Sequence, residues 1–163
     1  LATALERAGE LEAALAEIRE ARALDSERRD VHLHLASLLT AVGQFEAADE
    51  EVRRVLRAEP EDVAAQLVLG ILLYRRGLYT DAAVALGRVA EKAPEDARAH
   101  YYRGEALNRV GDTDGALAAL ERAIEVDPTM ARAYHTMGIL YDRKALPAEA
   151  SAMYRKAREL GGS

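Results

Sequence analysis

Gly9, Gly43, Gly77 and Gly111 stand 34 residues apart, and so do Ala14, Ala48, Ala82, Ala116 and Ala150. Pro60, Pro94 and Pro128 keep the same spacing. A period of this length marks a unit that cannot bury its apolar face alone and shares one interior with its neighbours. The expected product is a stack of helical pairs with a long surface for another protein, not an enclosed catalytic pocket.

The residues between Ala97 and Met130 show how one unit works. His100, Gly104 and Leu107 recur at one helical face, so a first helix is expected from about Ala97 to Val110. Gly111 ends it, because glycine accepts the left-handed backbone of a helix terminus. Thr113 or Asp114 is expected to cap the second helix, whose inner face holds Ala116, Leu120, Ala123 and Ile124. Asp127 and Pro128 open the next unit, with proline expected in the first helical turn. Gly104 and Ala116 fall where the two helices cross, and small side chains there allow axes about 8–10 Å apart.

These residues resemble the tetratricopeptide repeat family. In the last unit the resemblance rests on Tyr134, Met137, Gly138, Tyr141, Ala150, Tyr154 and Ala157. In the third it rests on Leu69, Gly70, Leu73, Ala82, Leu86 and Pro94. The resemblance implies an all-α, right-handed superhelical solenoid of about five helix-turn-helix repeats and about ten helices, forming one domain over residues 1–163. The units are 1–28 (first helix truncated), 29–62, 63–96, 97–130 and 131–163. Ser26 replaces the proline of the first unit, and Ala145 replaces the turn glycine of the last, where Pro147 is expected to start the second helix. Arg103 stands at an apolar register held elsewhere by Leu1, Leu35, Leu69 and Met137. It either snorkels, pairs with a neighbouring acid or yields the buried place to Tyr102.

In that family the first helix of each unit lines a concave groove. The corresponding faces here carry Leu67, Ile71, Tyr74 and Arg75, then Arg98, Tyr101, Asn108 and Arg109 beside Glu105, then Arg132, His135 and Arg143 beside Ile139 and Asp142. In the second unit the face carries Asp30, Leu33, Ser37 and Thr40. Arginine grips carboxylates with two parallel bonds, and tyrosine adds rigid apolar area with a polar tip. The expected ligand is a peptide with a hydrophobic anchor and acidic residues. The plainer alternative is solvated arginine paired with Glu105 and Asp142 along the helix. A clamp of Lys and Asn side chains for a terminal carboxylate, known in the family, is not expected, since Leu33, Ser37, Leu67 and Ile71 stand in its place.

Other chemistry has little support. With no Cys there are no disulfides, thiolate catalysis or thiolate metal ligands. His32 and His34 sit two apart on a helix and diverge, His32 and His100 read as core, and His135 stands alone. Neither a phosphate loop nor a nucleophile–base set appears, so the chain reads as non-catalytic, without cofactor or metal. Glu61 and Asp62 suit the positive end of the following helix, and Asp49–Glu51 an outer face. The formal net charge of −6 argues against nucleic acid. The charge is uneven: residues 1–62 carry 8 basic and 15 acidic side chains, and residues 63–163 carry 14 basic and 13 acidic. No apolar run has the length of a membrane span.

The sequence starts inside a repeat at Leu1-Ala2-Thr3, so a piece of a longer protein is expected, with cytoplasm the default compartment and periplasm the alternative. Ala150, Met153, Tyr154 and Ala157 are expected to be partly exposed on the last helix and to form an end interface. The leading function is a scaffold or adaptor that binds a protein or peptide in its groove. The alternatives are self-assembly into a homo-oligomer through the ends, and a regulatory segment of a larger enzyme.

Overall fold

The computed structural model describes residues 2–24 and 28–161, with side chains from 9–23 and 28–161. The described residues form nine helices: α1 (Ala2–Leu24), α2 (Arg29–Ala41), α3 (Phe45–Ala58), α4 (Val63–Arg75), α5 (Tyr79–Lys92), α6 (Ala97–Val110), α7 (Thr113–Val126), α8 (Ala131–Arg143) and α9 (Pro147–Gly161). They divide into two compact units, Leu1–Gly77 and Leu78–Ser163. In the first, α2 packs against α1, α3 and α4. In the second, α6 packs against α5, α7 and α8, and α8 pairs with α9.

The helix ends follow from local chemistry. Gly43, Gly77 and Gly111 take φ of 81°, 81° and 89°, the left-handed region where a Cβ is costly. Ala145 holds the same turn with φ 58°, and α9 does start at Pro147. The cap of α7 is Asp112 rather than Thr113 or Asp114: its carboxylate accepts from the Gly115 N–H at 2.9 Å. Asp62 and Asp96 cap α4 and α6 in the same way. Pro60, Pro94 and Pro128 lie in the turns before the helices, not in their first turns, and α8 starts at Ala131 after Met130, which offers no side-chain cap. Asp127 instead ties its turn together, accepting from the Thr129 N–H and Oγ1 at 2.9 and 2.6 Å. Gly9 is a further correction, since it lies inside α1, which runs unbroken where a hairpin was expected. The Ser26 departure lies outside the described residues.

Each unit has its own core. Leu15, Leu35, Leu39, Ala48 and Leu72 form one cluster in the first, and Leu33, Val55 and Ala65 another. The second unit is centred on Ala116, Leu117, Leu120, Ala123, Ala133, Met137 and Leu140, with Tyr101 among them. Gly104 is where the hairpin closes: a Cβ there would lie 2.7 Å from Leu120 Cγ and 3.2 Å from the Ala116 carbonyl oxygen. Gly138 does the same for Tyr154, whose ring would come within 2.5 Å. Arg103 is accommodated by another glycine. A Cβ on Gly87 would sit 3.5 Å from Arg103 Nε, so the half-buried guanidinium lies over a bare patch of α5. Tyr102 is also half-buried, against the core.

Glu51, expected on an outer face, is buried. Its Oε2 accepts from His32 Nδ1 at 2.5 Å, and its Oε1 accepts from Arg22 Nη1 at 2.5 Å. The inward-pointing His32 draws the carboxylate in, because a buried imidazole needs a partner. His100 solves the same problem against the Pro94 carbonyl at 2.9 Å.

Asp62 links successive repeats of the first unit. Besides capping α4, it accepts from the Arg29 guanidinium, Nη2 at 2.8 Å. That hydrogen bond, ahead of its backbone bonds, holds the Asp62 carboxyl below the ordinary carboxylate range. A depressed native value stabilises the fold above the unfolded-state pKa of about 3.9, and the contribution is lost as pH falls through the native value. Asp62→Ala is expected to cost about 1 kcal/mol at neutral pH, mostly from the lost cap, with the difference from wild type shrinking below about pH 4. Urea unfolding of both proteins at the two pH values checks it.

Candidate functional site

In the second unit, α6 and α8, each the first helix of its repeat, carry most of the expected binding residues. Arg98 is exposed and pairs with Asp96, the residue that caps its own helix. Arg132 is exposed and places its guanidinium carbon 5.0 Å from the centre of the Tyr101 ring. Arg109 lies 5.6 Å over Tyr79, and Arg143 donates to Asn108 Oδ1 at 3.0 Å. Neither Arg109 nor Arg143 forms an ion pair among the described residues. Asp142 instead accepts from the Tyr154 hydroxyl at 2.7 Å, which raises the Tyr154 pKa, and Glu105 accepts from Thr136 Oγ1 at 2.7 Å. On α4, Ile71 and Tyr74 are half-buried and Arg75 is exposed.

Two of the expected lining residues are core instead. Leu67 is 3% exposed and Tyr101 8%. They share one register, which runs Leu33, Leu67, Tyr101, His135. Leu33 clusters with Ala65 of α4, and Tyr101 with Ala133 of α8, so in these two repeats the first helix of the following repeat covers the position. His135 has the same register on α8 and is exposed.

His135 therefore lines a pocket of about 570 Å³ between α8 and α9, together with Ala131, Arg132, Tyr154, Ala157 and Arg158. Its ring meets Tyr154 edge-on at 5.7 Å. Shifted back by one repeat, the pocket becomes Ala97, Arg98, Tyr101, Leu120, Ala123 and Ile124. Of these, Tyr101, Leu120 and Ala123 are buried with Ala133, Met137 and Leu140 of α8. The pocket is that same packing position one repeat on, open in this structure. Its floor is apolar, and its rim carries Arg132, Arg158 and His135. Of the expected end-interface residues, Tyr154 and Ala157 are half-buried in the pocket wall, Met153 packs against the core, and Ala150 is corrected to 1% exposed. Arg158 is not among the expected lining residues, although a guanidinium at the register of Leu56, Ala90 and Ile124 is a signal for it.

Among the described residues no three His, Asp or Glu side chains gather as metal ligands, and no helix is long and apolar enough to cross a membrane. The tetratricopeptide repeat family matches residues 33–94 and 79–131, together more than half of the chain. The chain belongs to the tetratricopeptide repeat family. No curated sequence relative matches. Solved structures of tetratricopeptide proteins are similar along almost all of it. MamA 41-end from Desulfovibrio magneticus RS-1 is 24% identical, with a TM-score of 0.77 over 98% of this chain and 90% of that one. MamA AMB-1 is 26% identical, with a TM-score of 0.74 over 95% and 92%. YrrB, described as a tetratricopeptide protein with an unusual peptide-binding site, is 28% identical, with a TM-score of 0.69 over 98% and 82%. The tetratricopeptide framework thus accounts for the helix lengths, the glycine turns and the repeat-to-repeat packing.

Proposed function

We propose that this chain is a non-catalytic protein-binding scaffold whose second unit holds a segment of a partner protein on the α6–α8 face and in the α8–α9 pocket. The observation that carries this reading is the pocket itself. It repeats a position that buries apolar side chains one repeat earlier, and it is rimmed by Arg132, His135 and Arg158. A partner side chain of aliphatic or aromatic type fits the floor of Ala131, Tyr154 and Ala157. Carboxylates beside it meet the arginines, and Arg109, which has no ion-pair partner among the described residues, and the Asn108–Arg143 pair continue the positive face. The expected ligand is an apolar anchor flanked by acidic residues. The peptide-binding site described for YrrB supports this type of ligand by likeness of fold.

A displayed peptide library tests the proposal. Selection against the full chain is expected to return sequences with an apolar residue next to acidic ones. Arg132→Glu with Arg158→Glu is expected to weaken the selected peptides at least tenfold, with a flatter salt dependence. Equal affinity for this variant removes the pocket from the site, and peptides without acidic residues remove the ligand chemistry. The second reading is a homotypic contact, favoured by the excess of seven negative charges in residues 1–62, opposite in sign to the basic rim of the pocket on a second copy. Concentration-dependent light scattering that is abolished in the same variant would identify a second copy as the partner.

A further inference from the structure

The first unit contains a cleft of about 350 Å³ lined by α1 and α3, with the buried Leu35 and Leu39 of α2 in its floor. Residues 1–62 carry only eight basic side chains, yet five of them, Arg19, Arg22, Arg53, Arg54 and Arg57, line this one cleft. In a strongly acidic stretch of chain such a gathering is a local reversal of sign.

The arginines differ in what holds them. Arg22 is committed to Glu51 and Arg53 to Asp49. Among the described residues Arg19 reaches only the neutral Gln44 Oε1, at 3.4 Å. Arg54 and Arg57, one turn apart on α3, are exposed and make no hydrogen bond or ion pair with any described residue. Glu50 is the one further carboxylate in the lining. Three guanidinium groups from two helices therefore face a single uncommitted carboxylate.

We propose that the cleft between α1 and α3 binds a phosphoryl group, gripped by Arg54 and Arg57 from one side and Arg19 from the other. A carboxylate carries one charge and satisfies one guanidinium fork. A phosphoryl group carries nearly two charges and three acceptor oxygens, matching several forks at once. The ligand is compact. Charge beyond about 8–10 Å is screened at ordinary salt, so the arginines act within the cleft, and a long polyanion would run onto the surrounding acidic surface. Leu35 and Leu39 offer an apolar floor to whatever carries the phosphoryl group. The site lies in the first unit and stands independently of the α8–α9 pocket.

Calorimetric titration of the full chain with inorganic pyrophosphate at low salt tests the proposal. Saturable binding is expected, weakened at least tenfold in Arg54→Ala/Arg57→Ala. Both side chains are exposed, so the variant is expected to keep the wild-type circular dichroism and thermal midpoint. Malonate is expected to bind at least tenfold more weakly than pyrophosphate. Arg132→Glu/Arg158→Glu is expected to bind pyrophosphate as wild type does, which separates this site from the partner-binding pocket. A short phosphoserine peptide binding more tightly than pyrophosphate points to a phosphorylated protein as the source. The reverse order points to a free phosphate compound. No saturation by about 10 mM pyrophosphate, undiminished binding by the double variant, or equal binding of malonate overturns the proposal.

Discussion

Gly104→Ala is expected to destabilise the second unit by about 1–3 kcal/mol, and Leu120→Ala by about 2–5 kcal/mol, yet the two together are expected to cost clearly less than their sum. A methyl group on Gly104 would stand 2.7 Å from Leu120 Cγ and 3.0 Å from its Cδ2. Leu120 is fully buried and cannot swing aside, and the Ala116 carbonyl at 3.2 Å belongs to the backbone. Alanine normally gains up to about 1 kcal/mol over glycine inside a helix. The clash outweighs that gain because relieving it moves α6 away from α7. Truncating Leu120 opens the volume that the new methyl group needs. In that background Gly104→Ala is expected to become neutral or stabilising, a coupling of about 1–3 kcal/mol. Denaturant unfolding of the four proteins measures it. Additivity within about 0.5 kcal/mol would show that the hairpin spacing is not set by this pair.

The same contact shows what a repeat sequence makes legible. The glycine turns and the small residues at the crossing are local, and a single repeat suffices to read them: α6 has its expected limits, and Gly43, Gly77 and Gly111 all take positive φ. What one unit cannot show is what the next lays over it. A helical wheel of α6 turns Tyr101 away from α7, but α8 then covers it. Only His135, at the same register in the last described pair, stays exposed and became part of a pocket. Arg103 is likewise explained only across helices, because the bare patch it rests on belongs to Gly87 of α5. Gly9 fails for the opposite reason. A glycine permits a turn without requiring one, and nothing lies within 4 Å of where its Cβ would be.

Glu51→Ala is expected to be among the most destabilising polar-to-small changes in the first unit, at about 2–4 kcal/mol, although a charge count would place it on the outside. The carboxylate joins two groups of different standing. Arg22 keeps 42% of its side chain exposed and can turn to water when its partner is removed. His32 is 2% exposed and cannot, so the loss takes away the carboxylate that its Nδ1 meets at 2.5 Å. Most of the cost therefore belongs to the histidine rather than to the ion pair. A second substitution separates the two. At the register of His32 the chain carries Tyr134 in α8, 9% exposed, so an aromatic ring fits this place in the fold. Glu51→Leu combined with His32→Phe removes both polar partners and keeps the volume, and it is expected to recover most of the lost stability. Urea midpoints of the single and double variants decide the matter. If Glu51→Leu/His32→Phe is as unstable as Glu51→Ala, the Arg22 pair carries the energy. Recovery shows that the buried carboxylate is there because the imidazole is.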